Sequence, residues 1–431
     1  MNRQTVHRRL LEMMALAVLI MTGLAGCSYL SIPAKDDVVS WPLVQKSKNG
    51  APVYNSAVIK GRITGAAKDG PSTLVIAARA DSRELADSLV ANQTGAFMLY
   101  LPAGRYHFYA AADYNDSGTY EPDELSGVHG SFSAPQTITL HENDLVANIV
   151  IRTVRPNANP AGPALETALP KTPDCVRQVT YNGQVFKIYH DYFSLQNAQT
   201  GYWQPSSFMK VFGAHIYLTE EYSPRKIPIL FVHGTEGSPH NWIYFYTRLD
   251  RNRYQPWFFF YPSGIRLNLA ASLLDEELGE LQKKYGFQKM ALVAHSVGGL
   301  TTRSFLTRFV RNGHHPFIKL FVSFATPWSG FSAADASQIL PHKSIPVWMD
   351  LGTQSPFIKT TLEDKMPPDV RHYIFYGKND ALCGNKALDE RATAGAAEIF
   401  AFNCDHTSIL NDRRVFSKFH EILDRELGTA K

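Results

Sequence analysis

The sequence predicts a mostly parallel α/β sheet with helices on both faces, preceded by a small all-β sandwich. Three observations predict it. From Ile227 onward, short apolar runs alternate with segments of helical spacing, as in βαβ units. Between Val58 and Thr153 the apolar runs are short, often alternating, and punctuated by turn residues. Between these two patterns, from Pro156 to Pro173, lie five prolines among Ala, Asn and Thr, which is linker composition.

The resulting division is 1–26 as an export signal, 27–56 as a tether, 57–154 as the sandwich, 155–174 as the linker and 175–431 as the α/β domain. Arg3, Arg8 and Arg9 precede an apolar run from Met13 to Ala25, too short for a comfortable transmembrane helix. The run ends Leu24-Ala25-Gly26-Cys27, which resembles the lipobox of bacterial lipoprotein signal peptides. That resemblance implies cleavage before Cys27 and lipidation of its thiol and amino group. With two or more acyl chains the anchor would be stable. Ser28, in place of an aspartate, favours the outer membrane by the same rule. Residues 28–55 carry Pro33, Pro42 and Pro52 and little periodicity, a tether spanning on the order of 30 Å.

The expected sandwich strands are Val58–Ile63, Thr73–Arg79, Phe97–Leu101, Tyr106–Ala112, Gln136–Leu140 and Ala147–Thr153. Thr94-Gly95-Ala96-Phe97 followed by Leu101-Pro102-Ala103-Gly104-Arg105-Tyr106 resembles the carboxypeptidase-regulatory or transthyretin-like sandwich, in which such residues shape turns and pack between layers. Asp113, Asn115, Asp116, Tyr120, Asp123 and Glu124 surround Gly118. Oxygen ligands at these positions would suit calcium, whereas an Asx-rich turn explains them through local hydrogen bonds.

In the α/β domain the expected strands are Ile227–Val232, Trp257–Tyr261, Met290–Ala294, Lys319–Phe324, Tyr373–Tyr376 and Glu398–Phe402. Leu269, Leu273, Leu274, Leu278 and Leu281 form one stripe on a helix over Leu267 to Tyr285. Further helices are expected over Gly298–Val310 and Val415–Leu427. The composition agrees with an ordinary globular protein. Of 431 residues, 45% are apolar and 19% charged, which excludes a polytopic membrane protein and a disordered chain. The net charge of +4 is too small to imply a nucleic-acid surface, and removing residues 1–26 takes away three Arg and one Glu, lowering it to +2. Four cysteines are too few for a disulfide scaffold.

One segment carries chemistry: Ala291-Leu292-Val293-Ala294-His295-Ser296-Val297-Gly298-Gly299-Leu300. A strand runs into a serine between small residues, and a helix begins at once. This is a nucleophile elbow in its required context, with Ala294 in place of the first glycine of G-x-S-x-G. A serine that merely caps a helix would need none of the surrounding phrase. The helix N-terminus faces the serine, and the Val297 N–H is placed to donate to an oxyanion.

With these residues the chain, over about Ile227 to Lys431, resembles the α/β-hydrolase superfamily in its lipase and esterase branch. The phrase Phe231-Val232-His233-Gly234-Thr235-Glu236-Gly237-Ser238-Pro239 is similar to that family's oxyanion loop. The resemblance implies Thr235 as the second oxyanion donor beside Val297, with Glu236 as the alternative, and His233 as a residue that orders the loop. The family order of serine, acid and histidine leads to Asp380, in Tyr376-Gly377-Lys378-Asn379-Asp380, and to His406, in Cys404-Asp405-His406-Thr407-Ser408. Asp350 and Asp389 are the competing acids. Serine needs a neutral imidazole to accept its proton, and a buried carboxylate to hold that imidazole's tautomer. No cofactor or metal is required by this set.

Cys383 and Cys404 flank the acid and the base, so a disulfide between them would brace one loop against the other in an oxidising compartment; Cys175 is then unpaired. Ten aromatics between residues 242 and 262 are expected to be mainly core, with an acyl pocket as the alternative. Ala325-Thr326-Pro327-Trp328-Ser329-Gly330 is similar to a phrase that lies beside the active site in lipase-like relatives, and Phe331 to Pro368 is a candidate cap.

The expected function is a membrane-anchored serine hydrolase of the bacterial envelope, with a small-molecule or lipid ester as substrate and no nucleic-acid partner. The phrase set is also similar to the lipase-like group containing GPI inositol deacylase. An acyltransferase, thioesterase or amidase would use the same triad, and a catalytically silent binding protein would lack its activity.

Overall fold

A computed structural model describes residues 56–65, 72–154, 178, 180–338 and 345–428. The signal segment, Cys27, the tether up to residue 55, the linker at 155–174 and Cys175 lie outside the described residues. Among the described residues no helix is long and apolar enough to cross a membrane.

Among the described residues, ten strands lie in the N-terminal region: β1 (Ser56–Thr64), β2 (Thr73–Arg79), β3 (Leu85–Val90), β4 (Ala96–Pro102), β5 (Gly104–Ala112), β6 (Leu125–Val128), β7 (Gly130–Ser131), β8 (Ala134–Pro135), β9 (Ile138–Leu140) and β10 (Leu145–Thr153). Pairing runs β3-β2-β5-β6-β10-β1-β4, with β9 on β5, while β7 and β8 pair with each other. The path folds back on itself, because its outermost strands β3 and β4 are consecutive in the chain and touch across the turn at residues 91–95. Side chains of several strands meet in one core: Ala57 and Ile59 of β1, Val75 and Ala77 of β2, Phe97 and Leu99 of β4, and Phe108 of β5.

Alternation on a strand sends neighbouring side chains to opposite faces. On β1 and β4 the second face is buried as well. Val58, Met98 and Tyr100 pack into the core of the C-terminal domain, beside Met209, Leu274 and Leu278. This explains why Ser56–Ile59 and Phe97–Leu101 are buried at every position. Lys60 shares the outward face with Val58, and must find charge partners there. Its Nζ donates to Glu277 Oε1 (2.6 Å) and Glu280 Oε1 (2.7 Å), while His215 Nδ1 bonds Glu277 Oε2 (2.7 Å). Glu277 is fully buried, yet Lys60 and His215 outweigh the effect of burial and hold its carboxyl below the ordinary range.

The C-terminal sheet contains β11 (His215–Leu218), β12 (Ile227–Val232), β13 (Tyr254–Phe260), β14 (Met290–His295), β15 (Ile318–Phe324), β16 (Arg371–Gly377) and β17 (Glu398–Phe402). Its order is β11-β13-β12-β14-β15-β16-β17, parallel throughout except for β11. Both faces are covered. Leu230, Val232, Leu292 and Ala294 meet the helices Leu267–Tyr285 and Val297–Arg308, whereas Ile229, Phe231, Ala291 and Val293 share a core with Phe419, Ile422 and Leu423 of the helix Arg413–Leu427. The chain passes from β12 to β13 on one side and returns to β14 on the other. Between the carboxyl ends of β12 and β14 the strand order therefore reverses, which is where an open α/β sheet leaves a crevice.

The buried Lys60 gives a stability prediction. Lys60→Met leaves Glu277 buried with only His215 beside it, and is expected to cost about 3 kcal/mol in guanidinium unfolding. Arg105→Ala, in an exposed pair with Asp81, should cost below about 1 kcal/mol. Equal losses in the two variants would contradict a closed interface.

Candidate active site

Ser296 stands at the carboxyl end of β14 and caps the helix Val297–Arg308 with φ 54° and ψ −131°. A non-glycine residue in such a conformation costs on the order of 1–3 kcal/mol, so the surroundings must impose it. Ser296 N–H donates to Phe324 O (2.9 Å) and Gly299 N–H donates to Ser296 O (2.9 Å). Three glycines make the room. A Cβ on Gly234 would lie 2.7 Å from the Ser296 Cβ, one on Gly298 2.4 Å from the His233 carbonyl oxygen, and one on Gly299 2.0 Å from Thr326 Oγ1. The Thr-Pro phrase after β15 is thus packed against the helix that begins at Ser296.

The structure brings Ser296, Asp380 and His406 together. His406 Nε2 is 2.9 Å from Ser296 Oγ, and His406 Nδ1 is 2.9 Å from Asp380 Oδ2. The carboxylate can only accept, so Nδ1 carries the proton and Nε2 accepts from the serine hydroxyl. Asp380 Oδ1 accepts the Leu382 and Cys383 N–H groups (2.9 and 2.8 Å). Burial would raise the Asp380 carboxyl, but His406 and these amides hold it below the usual carboxylate range.

Both competing acids are committed elsewhere. Asp350 accepts Arg266 Nε (2.8 Å) and the Leu267 N–H (2.6 Å), capping the helix Leu267–Tyr285. Asp389 accepts from Arg391 and Ser329. In the oxyanion loop, the Glu236 N–H donates to Ser263 Oγ (3.1 Å). That N–H is therefore already engaged; Thr235 follows Gly234, and Val297 follows Ser296. His233 orders the loop: burial lowers it to about 4, Nδ1–H donates to Gly234 O (2.9 Å), and Nε2 accepts the Tyr261 N–H (3.3 Å).

The sequence did not single out His295. Burial, with His406 as the next largest influence, pushes it down to about 3. Its neutral Nε2–H donates to the His406 carbonyl (2.8 Å) and its ring lies 4.8 Å from that of His406. It therefore anchors the backbone of the base. The signal was present as the residue before the elbow serine, but its partner lies 111 positions away.

The expected disulfide is absent: Cys383 and Cys404 are both thiols. They are turned to different partners. Cys404 hydrogen-bonds Asp412, the N-cap of the helix Arg413–Leu427, and burial with that carboxylate pushes it up to about 11. Cys383 instead lies with Asp380 and His406, their ligand atoms within 4.8 Å of one another. This trio could touch a soft metal ion, but Asp380 and His406 are already bonded to each other. A second group with metal-ligand atoms, Asp275, His314 and His315, lies away from the serine.

Most of the aromatics between residues 242 and 262 are core. Trp242, Phe245, Tyr254 and Trp257 to Tyr261 are all buried, split between the two faces of the sheet. The described part of 331–368 is tied down by Asp350, by Thr353 on Asp335, and by the bridge between Phe331 and Gly352; residues 339–344 lie outside the described residues. In the strand-rich region, Asp113 accepts the Ser117 and Gly118 N–H groups and Glu124 those of Tyr114 and Glu121. Those contacts fit the Asx-rich turn.

A family model described as "Alpha/beta hydrolase of unknown function (DUF915)" matches residues 266–383. No curated protein matches. Among solved structures, the chain is similar to a lipase of Bacillus licheniformis in its mature form (20% identity, TM-score 0.39, 48% of this chain and 97% of that one). It is also similar to a monoacylglycerol lipase of Paleococcus ferrophilus (15%, TM-score 0.38, 50% and 98%) and to a bacterial membrane phospholipase A (14%, TM-score 0.32, 48% and 81%). The matched segment runs from the start of the helix before β14 to just past Asp380. The C-terminal domain has the α/β-hydrolase fold.

The two thiols are open to a direct check. Unfolding the protein without reductant in the presence of iodoacetamide should alkylate both Cys383 and Cys404. A mass spectrum showing a Cys383–Cys404 linked peptide would refute the assignment.

Proposed function

We propose that this protein is a serine hydrolase that cleaves carboxylic esters, lipid or acyl esters in particular, through an acyl-enzyme on Ser296. One observation carries the reading: the continuous line from Asp380 through His406 to Ser296 Oγ, two contacts of 2.9 Å each. In this reading Ser296 Oγ attacks the ester carbonyl while His406 Nε2 takes its proton. The Thr235 and Val297 N–H groups hold the oxyanion, and His406 returns the proton to the departing alcohol. Water, deprotonated by His406, then attacks the acyl-enzyme and frees the acid. Asp380 stays ionised throughout and holds the Nδ1 tautomer.

Ser296 is 5% exposed, so access runs through the crevice. Two side-chain hydrogen bonds tie tryptophans to neighbouring residues of this domain. Trp203 Nε1–H donates to Glu236 Oε1 (2.9 Å), beside the oxyanion loop, and Trp348 Nε1–H donates to the Tyr202 hydroxyl. The lipobox phrase ending in Cys27 supports a further part of the proposal: a lipid-anchored protein of the bacterial envelope, facing ester substrates at a membrane surface.

A fluorophosphonate probe should label wild-type protein at Ser296 and leave Ser296→Ala unlabelled at unchanged thermal stability. Asp380→Asn should lower kcat on p-nitrophenyl esters by about 10³–10⁴-fold, since an amide can present the wrong face to Nδ1 and favour the other tautomer. Labelling that persists in Ser296→Ala would overturn the assignment.

A further inference from the structure

The active-site crevice opens at the carboxyl ends of the parallel strands. A second cluster of reactive side chains lies at the opposite end of the sheet, in the turn that leads into β15. His314 and His315 are adjacent in the chain, and neighbours in extended backbone point to opposite faces. Here they do not. Gly313 has φ 93° and His315 has φ 52°, the left-handed region that a non-glycine residue occupies at a cost. The bend aims both imidazoles at one oxygen of Asp275 on the helix Leu267–Tyr285. His315 Nε2 lies 2.7 Å and His314 Nδ1 3.4 Å from Asp275 Oδ1.

The three side chains are held unequally. The His315 side chain, 8% exposed, lies between Phe305 and Phe317, each ring 5.4 Å away, and a Cβ on Gly279 would lie 3.6 Å from its Cε1. His314 is open, with 58% of its side chain exposed, and Asp275 is partly buried. They border a surface cleft of about 680 Å³. Glu276, Lys283 and Lys319 line it too, and with Asp275 the acidic and basic charges balance. The cleft therefore offers no electrostatic trap for cations in general. Any ion held here must be held by coordination.

We propose that Asp275, His314 and His315 bind a divalent transition-metal ion, Zn²⁺ or Cu²⁺, at this edge. Imidazole nitrogen and carboxylate oxygen bind such ions at roughly 2.0–2.2 Å, which sets ligand atoms of a tetrahedral site roughly 3.4 Å apart. The His314–Asp275 separation of 3.4 Å already has that value, and His315, at 2.7 Å, needs to give way by about 0.7 Å. On binding, the metal replaces the proton at each ligating nitrogen. In a neutral ring that proton moves to the other nitrogen, and from a charged ring one proton is released to solvent. The remaining coordination positions are left to water. Two imidazoles and one carboxylate suit borderline ions, whereas Ca²⁺ and Mg²⁺ require more oxygen ligands. The ion joins the helix Leu267–Tyr285 to the turn before β15, so it acts as a staple far from the serine.

The test uses the full chain with one equivalent of Cu²⁺ and electron paramagnetic resonance. Coupling to two imidazole nitrogens is expected in the wild type, and to one in His314→Ala, with at least tenfold weaker binding in the variant. His314→Ala is exposed and outside the catalytic residues, so its fold and its esterase activity should be unchanged. Zn²⁺ should raise the melting temperature of the wild type but not of His314→Ala, and Ca²⁺ should raise neither. Any copper held by Cys383 and His406 would survive in His314→Ala. Identical spectra and affinities in the two proteins, or no binding at 100 μM metal, would overturn the proposal.

Discussion

A serine held in a left-handed backbone conformation at the end of β14 sets the terms for everything around it. With φ 54° the Ser296 side chain leaves the strand and stands above the sheet, at the point where the strand order reverses. Such a turn persists only if the neighbouring chains yield space, and they do so at Gly234, Gly298 and Gly299. The same close approach brings the end of β12 against the first turn of the next helix. Backbone strain and glycine placement are one constraint seen from two sides.

The base and the acid reach that serine from the sheet's other half. A Cβ on Gly377 would lie 2.3 Å from the Cys404 carbonyl oxygen, so the loops after β16 and β17 touch directly. Lys378 N–H donates to Phe402 O (2.8 Å) and Asn379 N–H to Cys404 O (3.1 Å). These main-chain contacts hold Asp380 beside His406 without a covalent link. His295 completes the frame by gripping the His406 carbonyl from the nucleophile's own strand. Each of the three triad side chains is therefore positioned by backbone groups of the same few loops, and the site is rigid where a disulfide had been expected to make it so.

What was legible in the sequence was local. Ser296 lies inside a ten-residue phrase, Asp380 follows an apolar strand, and His406 follows the last one. The long apolar runs of β12, β14 and β15 were equally plain. β3 and β6 were not, because Leu85–Val90 contains Asp87 and Ser88 and Leu125–Val128 is only four residues long. β11 escaped for the same reason of length. Contacts between distant positions left no local mark: His295 meets His406 across 111 residues, and Lys60 meets Glu277 across 217. The cysteines were misjudged because proximity of two loops says nothing about which way each side chain turns. Cys404 found a helix cap and Cys383 found the acid and the base.

The proline-rich stretch marks the division between the two regions in the sequence, and in the structure the strand-rich region and the α/β domain pack directly against each other. Over Ser56–Ile59 of β1 and Phe97–Leu101 of β4, one face is buried in the strand-rich region and the other in the α/β domain. A sheet face evolved for water would have placed polar residues at 58, 98 and 100, where Val, Met and Tyr stand. On that face of β1, the charge of Lys60 is answered by Glu277 and Glu280 from the helix Leu267–Tyr285. Arg266, at the start of the same helix, pairs with Glu142 of the strand-rich region and with Asp350 of the segment beside the crevice. Arg266 also lies three residues after Ser263, which holds the oxyanion loop through Glu236. The strand-rich region is thereby connected to the catalytic loops by two steps of direct contact. Its outward face serves as part of the scaffold that sets the position of the helix behind the nucleophile.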